Sequence, residues 1–199
     1  MAISFDPRVL LRLREAVVPD LRTWSWPNVW VASCGTGELA YAMAILLREE
    51  GVLARTMLYA TAPSEAELRI ARLGVYSGCD WARLEASYRA SGGRASLSEY
   101  CRRDGDAVHV RPILRERMAF FQHDPLVDGS PNEFQMIVSG AAMDGLASEQ
   151  HARVLGLYHA SLCRFGSLAL VHGSSLALHP RRSSYTQVAE SGHLHRRTR

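Results

Sequence analysis

Apolar side chains recur at Val9, Leu10, Leu13 and Val17 behind Pro7, a helical period that predicts an amphipathic helix over residues 7–18. The rhythm then changes. VWVAS (29–33) is a continuous β-branched and aromatic run, it ends in CGTGE, and ELAYAMAILLREEG returns to helical spacing before Gly51. The reading is strand, glycine turn, helix. ARTMLYAT (54–61) predicts a second strand and PSEAELRIARLGVY a second helix, with Ser64 and Glu67 at capping-box spacing and Leu68, Ala71 and Val75 on its apolar face. Two such units in succession predict a parallel sheet flanked by helices, with right-handed crossovers.

Residues 80–90 have helical character, SGG (91–93) interrupts them, and the Asp104-Gly105 turn between short strand-like runs predicts a hairpin inside an insertion over about 94–115. Strands at 116–124, 133–140 and 167–173, a helix from Ser148 to Arg164 closed by Gly166, and a last strand around Tyr185–Ala189 complete the pattern. The fold class is α/β, doubly wound and Rossmann-like, with a small inserted β-hairpin subdomain. Residues 1–190 form one domain, and 191–199 are expected to be a basic, frayed tail.

The length of 199 residues, 47% hydrophobic, suits a single domain. All 23 basic residues are Arg, which excludes Schiff-base chemistry, Lys general bases and a phosphate-binding P-loop lysine. The formal charge of +3 is concentrated: Arg181, Arg182, Arg196, Arg197 and Arg199 face only Glu190, which leaves the preceding body at −1. Nucleic acid is therefore not the expected partner. Cys34, Cys79, Cys101 and Cys163 lie far apart with no C-x-x-C pair, so reduced thiols are expected and neither a zinc ribbon nor a redox motif. The N-terminal stretch carries charges throughout and no window approaches the ~20 apolar residues of a membrane span, so a cytoplasmic protein is expected.

Glycines 35 and 37 between a buried strand and a helix allow a ligand close to the backbone, and a first helical turn offers N–H groups to a polar one. The dinucleotide fingerprint would need a third glycine where Ala40 stands. A tight strand-to-helix turn without a ligand is the alternative at this level.

The longer string W-V-A-S-C-G-T-G-E-L-A-Y-A-M-A, Trp30 to Ala44, is similar to the cofactor loop of the CheR-type chemotaxis-receptor glutamate methyltransferases. That family's pattern runs approximately W-S-A-G-C-S-T-G-E-E-P-Y-S-L-A, with identities here at Trp30, Ala32, Cys34, Thr36, Gly37, Glu38 and Tyr41. A-R-x-G-V-Y (Ala71 to Tyr76), V-R-P-x-L-R (Val110 to Arg115), F-x-Q-H-D (Phe120 to Asp124) and H-G-S-S-L (His172 to Leu176) follow in the family's order, so the resemblance covers about residues 5–190. It implies a seven-stranded methyltransferase sheet that binds S-adenosylmethionine over its strand ends, and a protein substrate or partner such as a receptor or signalling protein. It also implies a cofactor site at Ser33, Cys34, Gly35, Gly37, Glu38, Ala62, Asp124 and Ser139, with Glu38 facing the methionine amino group and Asp124 by the adenine.

Several positions depart from the family pattern. Its A-T-D, whose acid holds the ribose hydroxyls, reads Ala60-Thr61-Ala62 here, and Glu65 or Glu67 would have to reach over, although both have helix-capping positions. Its C-R-N-V-L-I-Y-F becomes Ser139 to Leu146, with Gly140, Ala141 and Gly145 in place of Arg, Asn and Tyr, and an active-site Arg near the N-terminus falls on Phe5, with Arg8 one helical turn further on. The family's N-terminal helical domain is expected to be missing. Two readings follow: an S-adenosylmethionine-dependent protein-glutamate O-methyltransferase with a degraded cofactor site and weak or absent cofactor binding, or an inactive pseudo-methyltransferase kept as a binding or regulatory module. No catalytic residue is assigned.

A metal site is the weakest candidate, since His193 and His195 belong to the Arg-rich tail, His151 and His159 share one helix face, and His172 ends a predicted strand. Arg102, Arg103 and Arg111 on the hairpin offer a grip for an acidic peptide, with solvated surface charge as the simpler reading.

Overall fold

The first helix starts where Asp6 can cap it. In a computed structural model that describes residues 6–140, 143, 145–171, 176, 179–188 and 194–199, the Asp6 carboxylate accepts the N–H groups of Arg8 and Val9 at 3.0 and 3.3 Å, and Pro7 occupies the first turn. Phe5, Ala141, His172 and His193 lie outside the described residues.

The helices are α1 (Pro7–Ala16), α2 (Val18–Leu21), α3 (Glu38–Glu49), α4 (Glu65–Leu73), α5 (Trp81–Ala90) and α6 (Ser148–Ser161). The strands are β1 (Asn28–Ala32), β2 (Met57–Ala62), β3 (Val75–Tyr76), β4 (Cys101–Asp104), β5 (Ala107–Val110), β6 (Met118–Gln122), β7 (Phe134–Ser139), β8 (Leu162–Leu170), β9 (Tyr185–Gln187) and β10 (Leu194–Arg197). Seven of them form one sheet in the order β6-β2-β1-β7-β8-β10-β9, parallel from β6 to β8, with β10 antiparallel to both its neighbours.

The run VWVA is apolar on both sides because β1 is an interior strand of this sheet: Val29, Trp30, Val31 and Ala32 are all fully buried. Val29 and Val31 join the core under α1 and α3, whereas Trp30 and Ala32 join the core under α6. Trp30 stacks on Phe134 at 5.1 Å, and its indole N–H donates to the Thr61 hydroxyl at 2.9 Å, which pins β1 to β2. On the other face, the Arg14 guanidinium of α1 bonds to Glu49, to Glu50 and to the Ser91 carbonyl, so a buried cation ties α1 to the end of α3 and to the residue after α5.

Three sequence expectations change. Val75 does not extend the face of α4: Gly74 takes a left-handed conformation (φ 61°) and closes the helix, and Val75–Tyr76 pairs with β5, so the predicted hairpin of β4 and β5 becomes a three-stranded sheet in the order β3-β5-β4. Gly166 does not cap α6, because β8 begins directly at Leu162; a register shift against β7 follows, and Phe165 is held at φ 66°.

The third change is at the C-terminus, where the expected tail over 191–199 contributes a strand. Leu194 is buried opposite Ala169, and β10 inserts between β8 and β9. Its arginines have partners: Arg196 pairs with Asp20, and Arg197 donates to the carbonyls of His159 and Leu162. Charge alone reads as solvated; here the backbone supplies sheet pairing and the guanidiniums reach fixed acceptors.

Candidate functional site

β1 and β7 are neighbours, and the connections that leave them run to opposite sides of the sheet, which opens a crevice at their C-terminal ends. The loop after β1 is fixed from several directions. Ser33 has φ 52°, the Cys34 N–H donates to the Thr61 carbonyl at 2.7 Å, and the Gly37 N–H donates to the Cys34 carbonyl at 2.9 Å. The Tyr76 hydroxyl donates to the Thr36 carbonyl at 2.8 Å. Both ends of the peptide between Thr36 and Gly37 are therefore held.

Gly37 sits at φ 97°, and a Cβ there would lie 2.9 Å from the Ala71 Cβ, so no other residue fits without displacing α4. Gly35 is the opposite case, with nothing within 4 Å of the space a Cβ would occupy. The loop thus turns a bare backbone flank outward. Glu38 opens α3, whose first turn has no side-chain cap, and its carboxylate accepts the Thr36 hydroxyl at 2.5 Å. Burial, followed by the charges of Glu67 and Glu38, pushes the Cys34 thiol up to about 12, which keeps it protonated at neutral pH.

The other predicted positions lie along the same sheet edge. Gly140 follows β7, its N–H donates to the Ala32 carbonyl at 3.0 Å, and a Cβ on it would meet the Ser33 carbonyl oxygen at 2.7 Å. Ser139 is buried, but its hydroxyl hydrogen-bonds with the Tyr158 hydroxyl of α6 at 3.2 Å. Ala62 ends β2 fully buried, and its carbonyl accepts the His123 N–H at 3.1 Å.

Asp124 follows β6, two strands away from β1. Its carboxylate accepts the Leu126 N–H at 2.9 Å and its own N–H donates to the Asp128 carboxylate at 2.8 Å, so it builds a local turn. The structure therefore brings Ser33, Cys34, Gly35, Gly37, Glu38 and Ser139 to one crevice with Ala62 on the adjoining strand, and leaves Asp124 at the periphery. Gly145 lies in an exposed turn.

Two residues escaped the sequence reading. Tyr76 was visible only as the last letter of A-R-x-G-V-Y, read as helix, and Tyr158 as an unremarked member of α6. Burial, then the charge of Glu38, pushes the Tyr76 phenol well above its ordinary range, which keeps it a hydrogen-bond donor to Thr36. Beside the crevice, a cavity of about 540 Å³ lies between α1 and the strands β8 and β10, with Arg8, Val9, Arg12, Ala169, Leu170 and Leu194 in its wall. Val171, directly after β8, donates its N–H to the Ser139 carbonyl at 3.1 Å, so this cavity adjoins the end of β7.

A sequence model described as "CheR methyltransferase, SAM binding domain" matches residues 6–191. The chain belongs to that family. A protein of Pseudomonas putida named "Putative methyltransferase Cher3" is 39% identical over 165 residues, which are 83% of this chain and 60% of that protein. A "Chemotaxis protein methyltransferase" of Listeria innocua is 27% identical over 175 residues, 88% of this chain and 61% of its own length. The chain thus spans about 60% of the length of these curated relatives. Among solved structures, the apo form of the S-adenosylmethionine-dependent methyltransferase SibL superposes with a TM-score of 0.50 at 15% identity, covering 85% of this chain and 36% of that one, which shows a shared methyltransferase fold.

S-adenosylmethionine is the cofactor of the CheR family, and the fit of this chain's residues to it is uneven. The open flank at Gly35, the uncapped start of α3 and the Glu38 carboxylate suit an amino-acid end bearing an ammonium and a carboxylate. At β2 the side chain of Ala62 offers a diol nothing. No group of three or more His, Cys, Asp or Glu side chains that could hold a metal ion occurs among the described residues, and no helix among them is long and apolar enough to cross a membrane. The His159 imidazole bonds with the Tyr185 hydroxyl at 3.0 Å, and burial together with Arg197, Arg181 and His179 pushes it down to about 4.

Proposed function

We propose that this chain is the cofactor-binding and methyl-transferring domain of an S-adenosylmethionine-dependent protein-carboxylate O-methyltransferase acting on a glutamate side chain. The observation that carries the reading is the loop Ser33–Glu38, held at both ends of its central peptide and open on its outer flank, at the reversal point of the sheet. Glu38 would hold the amino group, and the first turn of α3 would face the carboxylate. When bound, the cofactor supplies an electrophilic methyl carbon on a positively charged sulfur.

The acceptor carboxylate is already anionic, so no general base is needed. The work of the chain is to align the two partners and to exclude water. Arg8 and Arg12 line the cavity beside β8, where Arg12 pairs with Glu15 at 3.4 Å, so Arg8 would be the guanidinium offered to an anionic side chain. The protonated Cys34 thiol does not compete for the methyl group. The chemotaxis names of two relatives support a receptor or signalling protein as the partner.

Thermal unfolding with S-adenosylhomocysteine tests the reading. At about one hundred times Kd the ligand should add about 2.7 kcal/mol of stability, a rise in Tm of roughly 5–10 °C for a domain of this size. An unchanged Tm at millimolar ligand would contradict it.

A second reading, that the domain is a pseudo-methyltransferase kept as a protein-binding module, is favoured by the buried apolar Ala62 and by the engagement of Ser139 with Tyr158. Under that reading the wild type leaves the Tm unchanged, and Ala62→Asp creates a ligand-dependent rise.

A further inference from the structure

Helix α4 presents one face to the glycine loop, and Ala71 marks the contact through its 2.9 Å approach to the position of a Gly37 Cβ. Glu67 stands one helical turn before Ala71 on this face, nearer the strand ends, and side chains on a helix lean toward its N-terminus. The pattern of exposure agrees: Leu68 and Ala71 are buried and Ser64 and Glu67 are half-buried, whereas Glu65, Ala66, Arg69 and Ile70 are exposed. Consistent with that placement, the Glu67 charge acts with burial to push the loop's Cys34 thiol up.

Helix capping does not use that carboxylate. The Ser64 hydroxyl caps α4 by accepting the Glu67 backbone N–H at 3.4 Å, and the neighbouring Glu65 is turned outward to Arg72. Among the described residues Glu67 forms no ion pair. Glu67 thus sits half-buried on the α4 face that packs against the loop, one element beyond the position where Ala62 has no polar side-chain atom.

We propose that Glu67 is the acid that grips the ribose hydroxyls of S-adenosylmethionine in this chain, taking in space the part that Ala62 leaves vacant. This rests on the reading that the loop takes that cofactor. A carboxylate offers two acceptor oxygens to the two adjacent hydroxyl groups of a ribose, and each such bond is charge-assisted. The departure at β2 is then a relocation of the acid and not its loss.

Calorimetric titration with S-adenosylhomocysteine and with its 2′-deoxy analogue tests the assignment. The wild type should bind the analogue about tenfold more weakly than the parent ligand. Glu67→Ala should bind the parent ligand at least tenfold more weakly than wild type does, and should no longer distinguish the two ligands. Glu65→Ala, exposed on the same turn, should behave as wild type. A folded Glu67→Ala that keeps wild-type affinity, or that still discriminates against the 2′-deoxy analogue, overturns the role of Glu67 while leaving the site reading intact. A folded wild type that binds neither ligand overturns both.

Discussion

The peptide between Thr36 and Gly37 has its carbonyl held by Tyr76 and its N–H held by Cys34, whereas β2, two hydrogen bonds away, ends on an alanine with no side-chain donor or acceptor. The same contrast recurs at β7, where the Gly140 backbone is fixed against β1 but the Ser139 hydroxyl bonds to Tyr158 of α6. One part of the crevice is specified by backbone and the other by side chains. Backbone binding survives substitution of side chains so long as the glycines and their clamps remain; side-chain binding changes with each replacement. The departure from the family pattern at position 62 therefore bears on the ribose end far more than on the glycine loop, whereas Gly140 packs its backbone against Ser33 of the loop itself.

The sharpest way to break this contrast is Gly37→Ala. The new Cβ would collide with Ala71 at a φ that L-residues rarely adopt, so a destabilisation of about 2–4 kcal/mol and loss of S-adenosylhomocysteine binding are expected by denaturant unfolding and calorimetry. Tyr76→Phe is gentler, since it removes only the hydroxyl and leaves the Thr36 carbonyl without its partner. It should lower stability by about 1–2 kcal/mol, speed amide exchange at Gly37, and weaken the ligand roughly tenfold. Unchanged exchange at Gly37 in a folded Tyr76→Phe would show that the clamp is idle.

Ser139→Ala should have the smallest effect on the ligand, within about twofold in Kd, with a stability loss near 1 kcal/mol from the lost bond to Tyr158. A large fall in affinity here would erase the distinction between the two parts of the crevice.

The glycine loop was legible because its residues break one rhythm and start another: a β-branched run, two glycines, then helical spacing. The hairpin was legible because Asp104-Gly105 demands a turn, and Gly105 indeed has φ 60°. β3 was hidden, because Val75 continues the spacing set by Leu68 and Ala71, and only Gly74 marks the helix end. β8 was read late for the same reason, since Leu162 to Arg164 extend the pattern of α6 without a break.

β10 was hidden by its charge, because its pairing with β8, 25 or more residues away, cannot be read from a short arginine-rich segment. At the site, the sequence named the residues at the strand ends but not their orientation. Ser139 is engaged with Tyr158 and Asp124 with its own turn, and Glu67, placed by spacing as a capping residue, leaves the side-chain cap to Ser64.

The central claim is that the backbone-built loop still takes the cofactor despite Ala62. Calorimetric titration of the folded wild-type chain with S-adenosylhomocysteine tests it most directly. The account predicts one saturable site with a Kd on the order of micromolar, and no heat of binding up to millimolar ligand from a chain shown to be folded would contradict it.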